Sequence, residues 1–231
     1  MLNGSTNLLD EYFDPTNYLY NKSKWFSDHC LYLMNYKELD FEKESREFNL
    51  VISNAKNESD VQKYIKCNKK WFIPGSIFLD YNFGHQETYL FPEQRLGNDY
   101  IADYMLIGKE SGGYTLILVE FETPNTEYLI STVNMESESV RKGLTQLQDW
   151  KRWLDNNREY FMRNIGLREF GIDIPTYRTF YYLVVSRRKY MNKLVVEVRG
   201  QSIYEKHNSK IVTFDRLSEN ITKLGNRAIW S

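Results

Sequence analysis

The chain has 231 residues, 42 % apolar and 26 % charged, with 12 Gly and 5 Pro, which gives it a substantial core and excludes collagen-like, low-complexity and broadly disordered classes. Its net charge of −1 hides a split: residues 1–140 hold 12 Lys and Arg against 22 Asp and Glu, net −10, and residues 141–231 hold 18 against 9, net +9. That split allows a basic surface beside an acidic pocket, an arrangement that suits a phosphate-backbone substrate.

Residues 1–36 are rich in Tyr, Trp, Asn and Asp with no sustained period, and are expected to form an aromatic arm, extended or irregular with short helical pieces. Its rings (Tyr12, Phe13, Tyr18, Tyr20, Trp25, Phe26) suit packing onto the domain or a sister subunit more than base stacking. Residues 37–231 read as one principal domain. A charged helical pattern runs from Lys37 to about Ala55, with Leu39, Phe41, Phe48, Leu50 and Val51 as its apolar stripe. Asn57 suits the N-cap of the next helix, with Glu58 and Asp60 in its first turn and Val61, Tyr64 and Ile65 on one face as far as Asn68. Trp71-Phe72-Ile73 before Pro74 forms a buried exit.

Thr88–Phe91 is β-prone, and Arg95–Asp99 reads as a turn. Tyr100–Ile107, a turn at Lys109–Gly113 and Tyr114–Glu122 then form a β-hairpin. From Glu136 to Asn156 the residues Val140, Leu144, Leu147, Trp150 and Leu154 mark the longest helix. A loop at Gly171 and Pro175 leads to a buried strand, Thr179–Val185, which ends at Arg187 and Arg188. Short strands at Lys193–Val198 and Lys210–Phe214 and a helix at Asp215–Leu224 complete the order. The class is α/β, a mixed central sheet flanked by helices.

The chemistry concentrates in the hairpin. Leu116 and Leu118 face one way and Ile117, Val119 and Phe121 the other, so Glu120 and Glu122 continue an apolar face as adjacent carboxylates where burial begins to end. Asp103 is the sole charge between Tyr100 and Ile107. With a turn near Ser111–Gly112, hairpin partners sum to about 223, which sets Asp103 opposite Glu120. Three such carboxylates oppose folding unless a cation neutralises them, and Mg²⁺ or Mn²⁺ is the simplest oxygen-bound choice. The bland reading is a solvated strand end, with Asp103 paired to an Arg. On the long helix Gln146 and Trp150 share a face, and Lys142 reaches the same cleft from four residues before Gln146. Arg187 and Arg188 are candidate phosphate contacts.

Asp103, the short hairpin, Glu120-Phe121-Glu122 and a helix bearing Gln146 together resemble the PD-(D/E)xK nuclease superfamily and, more narrowly, the Shedu-type antiviral nuclease domain. The resemblance runs through NESDVQKYIKCNKKWF (57–72), RLGNDYIADYML (95–106), LILVEFETP (116–124), GLTQLQDWKRWL (143–154), YYLVVSRR (181–188) and IVTFDRL (211–217). It implies a restriction-endonuclease-like core and a metal-dependent DNA endonuclease of anti-phage defence, acting as a homo-oligomer. Carried over, Asp103 and Glu120 would be metal ligands, with Glu58 joining them at the metal as a helical acidic partner, and Gln146 with Trp150 the helix motif. The family pattern has Lys two residues after the catalytic Glu, and here that residue is Glu122. A second metal, a substitute cation such as Lys142, or a degenerate domain that binds without cutting are the alternatives this leaves.

Other classes are disfavoured. There is no GxSxG, no plausible Cys-His context and no GxxxxGK[ST] loop, so neither a Ser or Cys hydrolase nor a nucleotide cofactor is expected. Cys30 and Cys67 show no metal or disulfide spacing. No apolar run approaches membrane-helix length and no secretory pattern opens the sequence, so a cytoplasmic protein without membrane association is expected.

Overall fold

The computed structural model describes residues 20–22, 30–33, 39–81, 87–206 and 208–224. Its elements in chain order are β1 (Tyr20–Lys22), β2 (Leu31–Leu33), α1 (Phe41–Asn54), α2 (Glu58–Cys67), the single-turn α3 (Phe72–Gly75), β3 (Thr88–Leu96), β4 (Tyr100–Glu110), β5 (Gly113–Phe121), β6 (Leu129–Ile130), β7 (Met135–Glu136), α4 (Glu138–Asn164), β8 (Thr179–Val184), α5 (Lys193–Glu205), β9 (Ser209–Val212) and α6 (Phe214–Leu224). Seven strands form one mixed sheet in the order β1-β2-β3-β4-β5-β8-β9. The first five pair antiparallel, and β5, β8 and β9 run parallel.

Period-two patterning builds the three layers. Leu106, Ile117, Val119, Phe121, Tyr182 and Val184 face α1, α2, α3 and α6. Met105, Leu116, Leu118, Tyr181 and Leu183 face α4, whose Val140, Leu144, Leu147, Trp150 and Leu154 supply the opposing stripe. The central strands are therefore apolar on both faces, as expected when helices cover both sides. The mixed sheet flanked by helices agrees with the sequence reading.

Several elements differ from it. Segment 193–205 is helix α5, not a strand. Asn192 Oδ1 accepts from the Val195 amide at 2.9 Å and caps the helix, and Val195 alone of its Leu-Val-Val run is buried, whereas Leu194 and Val196 are exposed. Capping and a single inward residue outweigh β-branched propensity here. On α1 the buried stripe is Phe41, Glu44, Ser45, Phe48 and Ile52. Leu50 is 65 % exposed, because a helix cannot turn residue 50 to the side that holds 48 and 52. The long helix continues to Asn164 through a break at Asn157. Two pieces of the expected arm, β1 and β2, join the sheet beside β3; Tyr12, Phe13, Tyr18, Trp25 and Phe26 lie outside the described residues.

Candidate active site

The hairpin register matches the expected one: Tyr104 lies opposite Val119 and Glu110 opposite Gly113. The β4–β5 ladder ends there, and the next pair, Asp103 and Glu120, marks the place where the strands part. Beyond it β5 stays with β8, with Glu120 beside Leu183 and Phe121 beside Val184. On the other side of β4, Pro92 pairs with Tyr104 and Gln94 with Ala102, and Glu93 between them is turned out of the ladder with φ +51°. Asp103 thus sits at an interruption on both flanks. Its Oδ2 accepts from the Phe121 amide at 2.7 Å, taking over the role of a ladder carbonyl.

The solvated strand end is not what forms. Glu120 is 3 % and Glu122 2 % exposed, and α4 closes over Glu122 at Gly143. A Cβ on Gly143 would fall 3.2 Å from Glu122 Cγ and 2.5 Å from Leu183 Cδ1. Nor does Asp103 pair with an Arg among the described residues. The cation in the cleft is Lys142, whose Nζ lies 2.9 Å from Glu122 Oε1 and 3.5 Å from Glu58 Oε2. Glu58 opens α2 behind the Asn57 cap, where Asn57 Oδ1 accepts from the Asp60 amide at 3.2 Å.

Electrostatics follow from this packing. Burial pushes Asp103 up to about 7 against the stabilising Phe121 amide, with the charges of Glu58 and Glu122 adding to the rise. Burial pushes Glu120 up to about 10, reinforced by Asp103, Glu122 and Glu58. Glu122 is raised by burial and pulled back by Lys142. Desolvation works against the Lys142 ammonium, but Glu122, Glu58 and Glu120 hold it above its ordinary value.

Glu120 Oε2 is fully buried and finds no hydrogen-bond donor among the described residues. Among those residues no three His, Cys, Asp or Glu side chains converge as a ready metal cluster. A hard divalent cation needs less: Mg²⁺ is commonly held by one or two carboxylates, with water and substrate phosphate completing its shell. Asp103 and the orphaned oxygen of Glu120 fit that requirement.

The remaining candidates separate. Gln146 is half-buried one turn beyond Lys142. Trp150 is fully buried in the α4 core, with Nε1 lacking a partner among the described residues. Arg187 is 9 % exposed. Its Nε and Nη2 grip Asp215 at 3.0–3.1 Å, and Nη1 reaches Ser53 Oγ at 3.2 Å, which turns it inward and away from a phosphate. Arg188 is exposed and pairs with Glu219 at 2.5 Å. One neighbour was not singled out from the sequence: Gln62, whose Oε1 accepts from the Tyr104 hydroxyl and whose buried Nε2 has no partner among the described residues. With Lys63, Lys66, Trp71 and Tyr104 it lines a cavity of about 130 Å³ that opens onto Asp103. Its position four residues after Glu58, on the same face of α2, was the available signal.

Residues 55–218 match the family described as Shedu protein SduA, C-terminal. No curated protein matches the chain. Among solved structures, the restriction endonuclease FokI bound to DNA aligns at 10 % identity and a TM-score of 0.36 over 82 % of this chain and 31 % of that one. The chain thus spans about a third of that protein's length.

Proposed function

The chain belongs to the Shedu family through the SduA C-terminal domain, and on that premise we propose that it hydrolyses DNA phosphodiester bonds with a divalent cation, Mg²⁺ or Mn²⁺, in defence against phage. The observation that carries this reading is Glu120 Oε2, a buried carboxylate oxygen without a donor among the described residues. Buried polar atoms that serve only structure are almost always hydrogen-bonded. One left open beside a second carboxylate suits a cation.

Asp103 and Glu120 would hold the ion, whose chemistry is to activate water and stabilise the leaving oxygen. Lys142 brings its ammonium from α4 to the neighbourhood where the family pattern has a Lys on the strand. It is held protonated by its three carboxylate neighbours, so its work is electrostatic: to offset charge that grows on the phosphoryl oxygens. Glu122 fixes that ammonium, and Glu58 supports it from α2. Gln146 offers an amide to a phosphate oxygen or a water. Of the two arginines at the exit of β8, Arg188 is the exposed one, and it would meet DNA by exchanging its Glu219 ion pair. A cytoplasmic homo-oligomer is the form in which we expect this activity.

Cleavage of supercoiled and linear DNA by the wild type, Asp103→Asn and Glu120→Gln, across Mg²⁺ and Mn²⁺ with EDTA controls, tests the proposal. Metal-dependent cutting by the wild type and none by either variant is expected. A second reading is favoured by Glu122 at the family Lys position: a nuclease-fold domain that binds nucleic acid or a protein partner without cutting. Salt-sensitive DNA retention with no cleavage at any metal concentration would replace the first reading with the second.

A further inference from the structure

Away from the carboxylates, α5 and α6 flank the outer edge of β9, the last strand of the sheet, and leave a groove of about 460 Å³. Four cations line it (Arg188, Arg199, Lys210 and Arg216) against two acids, Asp80 and Glu219. Each acid is already matched. Arg216 Nε donates to Asp80 Oδ1 at 2.9 Å, and Arg188 holds Glu219. Lys210 donates to the Asp80 carbonyl and lies 4.1 Å from the Tyr81 ring centroid. The Arg199 guanidinium meets the Met191 thioether at 4.0 Å and its charge acts on the buried Tyr128 hydroxyl, but it forms no ion pair with a carboxylate among the described residues. The groove therefore carries an excess of positive charge, with one guanidinium still to be engaged.

Register places this groove relative to the cleft. Val184 on β8 stands beside both Phe121 and Val212. Val212 and Thr213 are thus level with Phe121 and Glu122, two strand spacings away, or about 10 Å. Among the described residues no aromatic side chain lines the groove, so these residues offer no platform on which a base could stack. Guanidinium groups instead match phosphate oxygens in a planar, two-point fashion.

Resting on the nuclease reading, we propose that the β9-edge groove holds the sugar-phosphate backbone of DNA flanking the scissile bond, with Arg199 as a direct phosphate contact. Backbone contacts of this kind set the register of the duplex over the cleft and are indifferent to sequence.

The test is equilibrium binding of the full chain in EDTA to two duplexes, one that covers the carboxylate cleft alone and one a helical turn longer, over a range of salt. The wild type should bind the longer duplex more tightly. Arg199→Glu should remove that advantage, about tenfold in affinity, and lower the salt slope by about one. Arg199→Gln, which keeps the shape of the side chain, should fall between. Lys193→Glu makes the same charge change on the same helix at an exposed position outside the groove, and should keep the advantage. Arg199→Glu that keeps it, or that loses no more than Lys193→Glu, overturns the proposal. So does a free mononucleotide whose binding depends on Arg199 without competing with the longer duplex, which would assign the groove to a small ligand. Plasmid cleavage by the wild type is read separately: cutting with an unaltered Arg199→Glu length advantage removes the groove alone, whereas a wild type that neither cuts nor binds removes both readings.

Discussion

Asp103 and Glu120 are neighbours with opposite structural dependence. Asp103 accepts the Phe121 amide, so Asp103→Ala leaves a backbone donor unpaired and should cost about 1–3 kcal/mol. Glu120 has a buried oxygen with no donor among the described residues, and burial favours its neutral form. Glu120→Gln should therefore raise the melting temperature in EDTA at pH 8 while abolishing cleavage; a lower melting temperature would mean that the carboxylate is structurally held. Asp215 behaves in the ordinary way. Burial opposes its charge, but Arg187 and the Arg188 amide overcome that and hold its carboxyl below the usual range. Its contribution is present above the unfolded carboxylate value and is lost as pH falls through the depressed one. Asp215→Asn should cost about 3 kcal/mol at neutral pH by stranding a buried guanidinium, and chemical denaturation should show the gap narrowing in acid. The carboxylate pair was legible in the sequence because strand alternation and hairpin register are local rules. The burial of Arg187 was not, because its partner lies 28 residues on and meets it only in the folded sheet.

At the scale of elements, the approach of α4 to β5 and β8 decides the cleft, and Gly143 permits it. Gly143→Val would push into Leu183 and Glu122, and should cost about 2 kcal/mol by overpacking. It should also separate Lys142 from Glu122 and so reduce cleavage in the fraction that still folds; thermal melts and DNA cutting measure the two effects. The stripe of α4 could be read from Val140 to Leu154, since its period is that of a helix packed on a sheet. The small residue within it could not, because close approach depends on which side chain the sheet presents. Helix α5 was concealed by its Leu-Val-Val run, and the cue that outranked propensity was the cap at Asn192.

Over the whole molecule, the sheet begins at β1, which pairs with β2, and among the described residues β2 pairs with β3 at Leu31 opposite Leu90 and Tyr32 opposite Tyr89. Deleting residues 1–36 should leave the layers around β4, β5 and β8 folded and able to cut DNA, but it uncovers the β3 edge. Size-exclusion chromatography should show larger species than the full chain gives; loss of folding instead would make the arm part of the core. The charge split was visible in the sequence, but its placement was not: the acidic part supplies Asp103, Glu120, Glu122 and Glu58, and the basic part supplies Lys142 and the β9-edge arginines. The contrast between the two central carboxylates also bears on descent. Were cutting no longer selected, exchange of Glu120 for a neutral residue would be favoured by stability, whereas loss of Asp103 would be resisted by the strand it pins. Erosion of such a site has a direction, and a lineage in decay should lose its glutamate before its aspartate.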